Sequence, residues 1–309
     1  TTLHRRFITV KGAFGTRQVH HRRGGRGPVV LLLHQSPQSS REMEPLIEAW
    51  GHAFTLIAPD SPGYGFSGPL QRDGQPVATA SIEDFASATL EFADALGLGR
   101  FAVYGFHTGA SIGAALAEAN PERVTAVAAN GLVVLREDER TTLLRDYLPP
   151  VVPRWDGGHL AWLWGRLREQ AIFFPWHDRR AATRMDFDVP PADRLQLGLV
   201  EFLAAGDHYR VAYAAAFADR AERRLPSMRV PMLVTVPTYN LPTQSLYIPG
   251  AREGVFGVYQ LDWETGMPTG YIELGRSHKF NVLAGLAVPF GEGRVWLTGA
   301  YAPVSVRMR

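Results

Sequence analysis

The first 135 residues alternate short continuous apolar runs with longer amphipathic stretches. Phe7 to Val10 and Arg17 to His21 flank the Gly12–Gly15 turn, which predicts a hairpin. Val29-Val30-Leu31-Leu32-Leu33 is apolar throughout, the pattern of a strand covered on both faces. From Ser40 to Trp50 the period changes: Met43, Leu46, Ile47 and Trp50 fall on one helical face, with Ser40 as the expected N-cap. Thr55 to Ala58 predicts the next strand, stopped by Pro59. Ser81 to Leu96 predicts a helix opened by a Ser81–Asp84 capping pair. Phe101 to Phe106 predicts a strand, Ala110 to Ala119 a helix of small residues, and Val124 to Ala129 another strand. Repeated strand–helix alternation implies crossover units and an α/β class, a doubly wound and mainly parallel sheet with helices on both faces.

That alternation stops between about 136 and 226. The stretch has no buried-strand pattern and carries Trp155, Trp162, Trp164 and Trp176, so it predicts a helical cap over a pocket. Val230 to Val236 returns to the sheet. From Pro237 onward, short apolar runs separated by glycine-rich turns predict antiparallel hairpins, with a short helix at most near Leu283 to Leu286. The expected division is a core over 1–237 that includes the cap, followed by an atypical β-rich segment over 238–309.

Composition narrows the chemistry. The chain has 309 residues, 46% hydrophobic and 20% charged, with a formal net charge of +2, the profile of an ordinary globular protein. Apart from Lys11 and Lys279 every basic residue is Arg, and none gather with stacking aromatics, so no nucleic-acid partner is expected. The densest basic cluster, Arg22, Arg23 and Arg26, reads as a solvated turn. Absence of cysteine excludes disulfides and thiolate chemistry. No run approaches the roughly 20 apolar residues of a membrane span, and a cytoplasmic protein is expected. No metal-ligand spacing and no phosphate-binding loop stand out.

Three loops follow predicted parallel strands, where open α/β sheets place their sites. They are His34-Gln35-Ser36-Pro37, the stretch from Pro59 through Asp60-Ser61-Pro62-Gly63-Tyr64-Gly65-Phe66-Ser67-Gly68, and Gly105-Phe106-His107-Thr108-Gly109. In order and content they resemble the α/β-hydrolase family over about residues 20–135. That resemblance implies a nucleophile elbow at Gly105–Gly109 and an oxyanion hole from the backbone N–H groups of Gln35 and Thr108. It puts His107 where the family carries Ser, Asp or Cys. A neutral imidazole there can act as nucleophile or general base, or only bind a ligand. Ser36 is a weaker nucleophile candidate, and Trp162 and Trp176 are expected to line the substrate pocket.

The family's acid and second histidine have no ready counterparts. Pro237-Thr238-Tyr239-Asn240-Leu241 holds no carboxylate, which leaves Asp262 or Glu264 as the acid and His278 as the base of any triad. Val258 to Gly266 followed by Gly270-Tyr271-Ile272 faintly resembles a β-propeller hairpin. The reading is a hydrolase without cofactor or metal, acting on a small, mainly apolar, ester-like molecule. A homodimer is allowed. Two alternatives stay open: a non-catalytic ligand-binding relative, and a chimeric or truncated hydrolase without activity.

Overall fold

A seven-stranded sheet organises the chain in the computed structural model, which describes residues 1–184 and 189–234 in full and, from 235 onward, the backbone of strands alone. The strands β1 (His4–Gly12), β2 (Gly15–Gly25), β3 (Val29–Leu33) and β4 (Thr55–Pro59) come first. A two-strand arm follows, β5 (Gln71–Arg72) with β6 (Gln75–Pro76), and then β7 (Phe101–Phe106), β8 (Val124–Asn130) and β9 (Met232–Thr235). The sheet order is β1-β2-β4-β3-β7-β8-β9. From β4 across to β9 neighbours run parallel, while β1–β2 and β2–β4 are antiparallel. The helices α1 (Glu44–Trp50), α2 (Ile82–Ala95) and α3 (Thr108–Ala119) connect the strands. This is the doubly wound α/β architecture expected from the alternation.

Local chemistry sets the element ends. Ser81 caps α2 as expected: its hydroxyl accepts the Asp84 N–H at 3.1 Å, and the Asp84 carboxylate accepts the Ser81 N–H at 2.9 Å. The helix expected from Ser40 instead begins as a 3-10 turn, Ser40–Met43, capped by Ser39, and α1 starts only at Glu44 with Pro45 in its first turn. Ser40 does not cap because its N–H and hydroxyl both bind Asp60.

A second expectation fails in β2. Arg22 is not solvated but 5% exposed, with Nε 2.6 Å from Glu44 Oε1 and Nη1 donating to Ser40 Oγ at 2.6 Å. Arg17, His20 and His21 are buried on the same strand.

The helix α3 is buried from Thr108 to Ala117 because its residues are small enough to lie on the sheet. A Cβ built on Gly109 would stand 2.1 Å from the Leu33 carbonyl oxygen, and one on Gly105 would stand 2.2 Å from the Gly109 carbonyl oxygen. Both clashes are with backbone that cannot rotate away. Gly109→Ala is therefore expected to cost about 2–3 kcal/mol, read as a lowered midpoint in chemical denaturation.

Between β8 and β9 the chain is helical, as expected: α4 (Glu137–Asp146), α5 (Gly158–Ile172), α6 (Ala192–Ala205), α7 (Tyr209–Ala218) and α8 (Ala221–Arg224). Of its four tryptophans only Trp176 is buried. Among the described residues no helix is long and apolar enough to cross a membrane. Beyond the sheet, β10 (Thr238–Asn240), β11 (Ser245–Arg252), β12 (Val255–Asp262) and β13 (Pro268–Gly275) form an antiparallel sheet, and β14 (Ala287–Pro289), β15 (Arg294–Thr298) and β16 (Pro303–Arg307) another. The hairpin texture of the sequence is visible in these pairings. The expected hairpin turn after Asp262 and the short helix near Leu283 lie outside the described residues.

Candidate active site

Three loops at the carboxyl ends of β3, β4 and β7 meet, and each is fixed by its own buried hydrogen bonds. Asp60 is the hub of the second. Its carboxylate accepts the Ser40 N–H at 2.8 Å and the Phe66 N–H at 2.9 Å, and lies 2.9 Å from His20 Nδ1. Burial alone would raise this carboxyl, but the donors from His20, Phe66 and Ser40 outweigh it and pull the pKa down to about 2. Gly65 takes φ +53 beside it, where a Cβ would strike the same carboxylate.

The first loop is braced by His34, which is buried. Nε2 accepts the Ser61 N–H at 2.9 Å, which leaves the proton on Nδ1 to be donated to the Gln35 carbonyl at 2.8 Å. Burial lowers its pKa, so the ring is neutral with both nitrogens engaged. It has no lone pair left to activate Ser36. Ser36 is itself buried and donates to Tyr64 Oη at 3.2 Å, while Tyr64 Oη donates to the Tyr209 carbonyl at 2.8 Å.

Gln35 holds a surprise for the sequence reading. Its N–H, expected to face substrate, donates to Glu42 Oε2 at 3.1 Å, and its side-chain amide donates to Glu42 Oε1. Glu42 was missed because it sits on the polar side of an expected amphipathic helix. Burial, aided by nearby Glu201, pushes its pKa up to about 7 against the pull of the Gln35 donors. An acid raised above its unfolded value of about 4.3 binds its proton more tightly when folded, so stability falls as pH rises from about 4 through 7. Glu42→Gln is expected to flatten that slope. Thermal unfolding should show the variant gaining on the parent at pH 8 relative to pH 5.

The third loop carries His107. Its backbone has φ 46 and ψ −109, a conformation that a residue with a side chain rarely adopts, and α3 begins at the next residue. The turn is closed by the His107 N–H donating to the Asn130 carbonyl at 2.8 Å. The imidazole is exposed on one side and walled by the Phe106 ring, 4.3 Å away between centroids, and by Gly131. Burial among these neighbours lowers its pKa, partly offset by a hydrogen bond to the Gly131 backbone. A Cβ on Gly131 would lie 2.8 Å from Nδ1, so this edge of the ring is the one held against the chain. Nε2 is left on the far edge.

The N–H groups of Thr108 and Gly109 stand in the first turn of α3, where a helix supplies no acceptor. Trp162 and Trp176, on and beside α5, meet edge to face at 6.0 Å. Among the described residues no carboxylate pairs with His107, and no group of three or more His, Asp or Glu could hold a metal. Asp262 ends β12 but its side chain, like all of Glu264 and His278, lies outside the described residues, so no triad can be assembled from them.

Residues 28–162 match the family described as the alpha/beta hydrolase fold. Over those residues, fewer than half of the chain, the sequence is similar to this family. An uncharacterized hydrolase of Saccharomyces cerevisiae is 31% identical over 123 residues, 40% of this chain and 41% of that protein. Haloalkane dehalogenase 2 of Mycobacterium tuberculosis is 33% identical over 110 residues, 36% and 37% of the two chains. The chain thus spans about two fifths of the length of these curated relatives. The enol-lactonase of Burkholderia xenovorans superposes with a TM-score of 0.55 at 18% identity, covering 76% of this chain and 82% of that one, which shows a shared fold.

Proposed function

We propose that the protein is a hydrolase of the α/β-hydrolase type that cleaves a small, mainly apolar, ester-like substrate with the His107 imidazole. One observation carries the reading: a non-glycine residue is held at φ 46 at the head of α3, with its ring open on one side and pinned at its Nδ1 edge. Strain of this kind persists where the surrounding structure enforces it and gathers at functional sites. The lowered pKa keeps Nε2 unprotonated near neutral pH.

As general base, Nε2 takes a proton from water while the water oxygen bonds the ester carbonyl carbon. The oxyanion that forms is met by the Thr108 N–H at the helix start, and by the Gln35 N–H once Glu42 yields it. The proton on Nε2 then passes to the departing alkoxide, giving acid, alcohol and a neutral ring. As nucleophile, Nε2 bonds the carbonyl carbon directly and the alkoxide leaves, taking a proton from water; the hydroxide so formed cleaves the acyl-imidazolium to acid and a neutral ring. Trp162 and Trp176 supply apolar walls for the substrate under a helical cap formed by α4 to α7. The cytoplasm is the proposed compartment.

Short-chain aryl esters, haloalkanes and epoxides offered to the purified protein test the reading. Turnover confined to the esters supports it, and a mass gain of one acyl group on His107 after rapid quenching selects the nucleophilic route. Turnover of haloalkanes instead would align the chain with the activity for which its mycobacterial relative is named. The lack of a carboxylate partner for His107 among the described residues favours the second reading, a non-catalytic ligand-binding relative. No turnover of any of the three classes would favour that one.

A further inference from the structure

The geometry points to Arg166 as the anchor of a carboxylate subsite, so that the preferred substrates are esters bearing a free carboxylate at the end remote from the scissile bond. The subsite rests on the hydrolase reading for its connection to turnover, but not for its ability to bind.

Arg166 lies in the middle of α5 and is 2% exposed. Its guanidinium carbon stands 4.8 Å from the Phe202 ring centre, 4.9 Å from Trp176, 5.5 Å from Tyr209 and 5.6 Å from Tyr147. These rings attract a cation through their faces. Nη1 donates to Gln170 Oε1 at 3.0 Å, whereas Nε and Nη2 have no hydrogen-bond partner among the described residues, and no carboxylate there forms an ion pair with the group. Buried donors are nearly always paired, and a buried charge left without a counter-charge is costly.

The unpartnered pair is chemically specific. Nε–H and Nη2–H point the same way along one edge of the guanidinium, the fork that grips a carboxylate through two parallel hydrogen bonds. A halide or a lone carbonyl would use only part of it. The aromatic walls suit an apolar linker behind such a carboxylate.

The cage is joined to the candidate active site. Trp162, one turn before Arg166 on α5, meets Trp176 edge to face. Tyr209, a wall of the cage, accepts at its carbonyl the hydroxyl of Tyr64, which in turn holds Ser36 on the loop after β3. Gln170, which holds Nη1, also donates to Tyr213 Oη at 3.2 Å, and Tyr213 lies in the fields of both Arg166 and Glu42.

Two measurements on the full chain test the subsite. Calorimetric titration with glutarate is compared with dimethyl glutarate in the parent, in Arg166→Met and in Arg166→Lys. The parent is expected to bind the dianion at least tenfold tighter than the diester, Arg166→Met to lose that margin, and Arg166→Lys to recover part of it. In parallel, the kcat/KM ratio of p-nitrophenyl hydrogen glutarate to p-nitrophenyl butyrate is expected to exceed ten in the parent and to approach one in Arg166→Met, mostly through KM. Equal affinity for dianion and diester in the parent overturns the subsite, whatever the variants do. Both esters cleaved without preference overturns it and leaves the hydrolase standing. Glutarate bound through Arg166 with neither ester cleaved supports the subsite and defeats the hydrolase reading.

Discussion

His107→Ala is expected to lower turnover of a short aryl ester by at least about 100-fold, the usual scale for loss of a positioned proton-transfer group, without lowering stability. The two halves of that result belong together. A side chain at φ 46 costs on the order of 1–3 kcal/mol, and with one side of the ring open only the contacts with Phe106 and Gly131 stand against that cost. His107→Gly removes the strain altogether, and its thermal midpoint is expected to rise by about 2–4 °C for a stabilisation near 1 kcal/mol. Steady-state rates and thermal unfolding on the same preparations check both halves. A variant that loses activity and stability together would make His107 a structural residue. Equal rates would remove it from the chemistry.

Asp60→Ala is expected to be the most damaging single change for stability, at about 3–5 kcal/mol, the usual cost of removing one partner from a buried charged network. The loss has three parts, since the carboxylate holds His20 on β2, Ser40 at the start of the 3-10 turn, and the Phe66 N–H in its own loop. It should therefore loosen the segment that follows the first loop as well as its own loop. A pH dependence follows. The folded carboxyl titrates at about 2 against about 3.9 in an unfolded chain, a difference of roughly 2.5 kcal/mol. A depressed acid stabilises above its unfolded value, so this contribution is complete above about pH 4 and is lost as pH falls through 2. Urea unfolding of the parent between pH 6 and pH 3 should show the onset of that loss, and the variant should lack its share of the slope.

The sheet and the sharp turn between β7 and α3 were legible because their signals are local. A continuous apolar run such as Val29 to Leu33, too short for a helix and preceded by Pro28, reads as a covered strand. Gly105 and Gly109 stand where the structure leaves no room for a Cβ, so the spacing alone carried the geometry. Ser81 and Asp84 cap one another within a single turn.

What the sequence did not show depends on partners far along the chain. Arg22 reads as a surface charge until Glu44 and Ser40 are brought to it, and Ser40 reads as a helix cap until Asp60 takes both of its donors. Gln35 and Glu42 are only seven residues apart, yet their pairing needs the turn between them to fold back. The cage of Arg166 draws on Tyr147, Trp176, Phe202 and Tyr209, and no local pattern announces it. One signal was present: Trp162, Arg166 and Gln170 recur at intervals of four and share a helical stripe.

At the centre of the account is an uncharged imidazole at the apex of the bend between β7 and α3. Its most direct test is the pH profile of kcat/KM for p-nitrophenyl acetate from pH 4 to 8. The rate should be half-maximal below pH 6.5, the ordinary histidine value, because burial lowers the His107 pKa, and it should rise from there to a plateau by pH 8. A profile that reaches half its maximum at or above pH 6.5, or that does not change across the range, would contradict it.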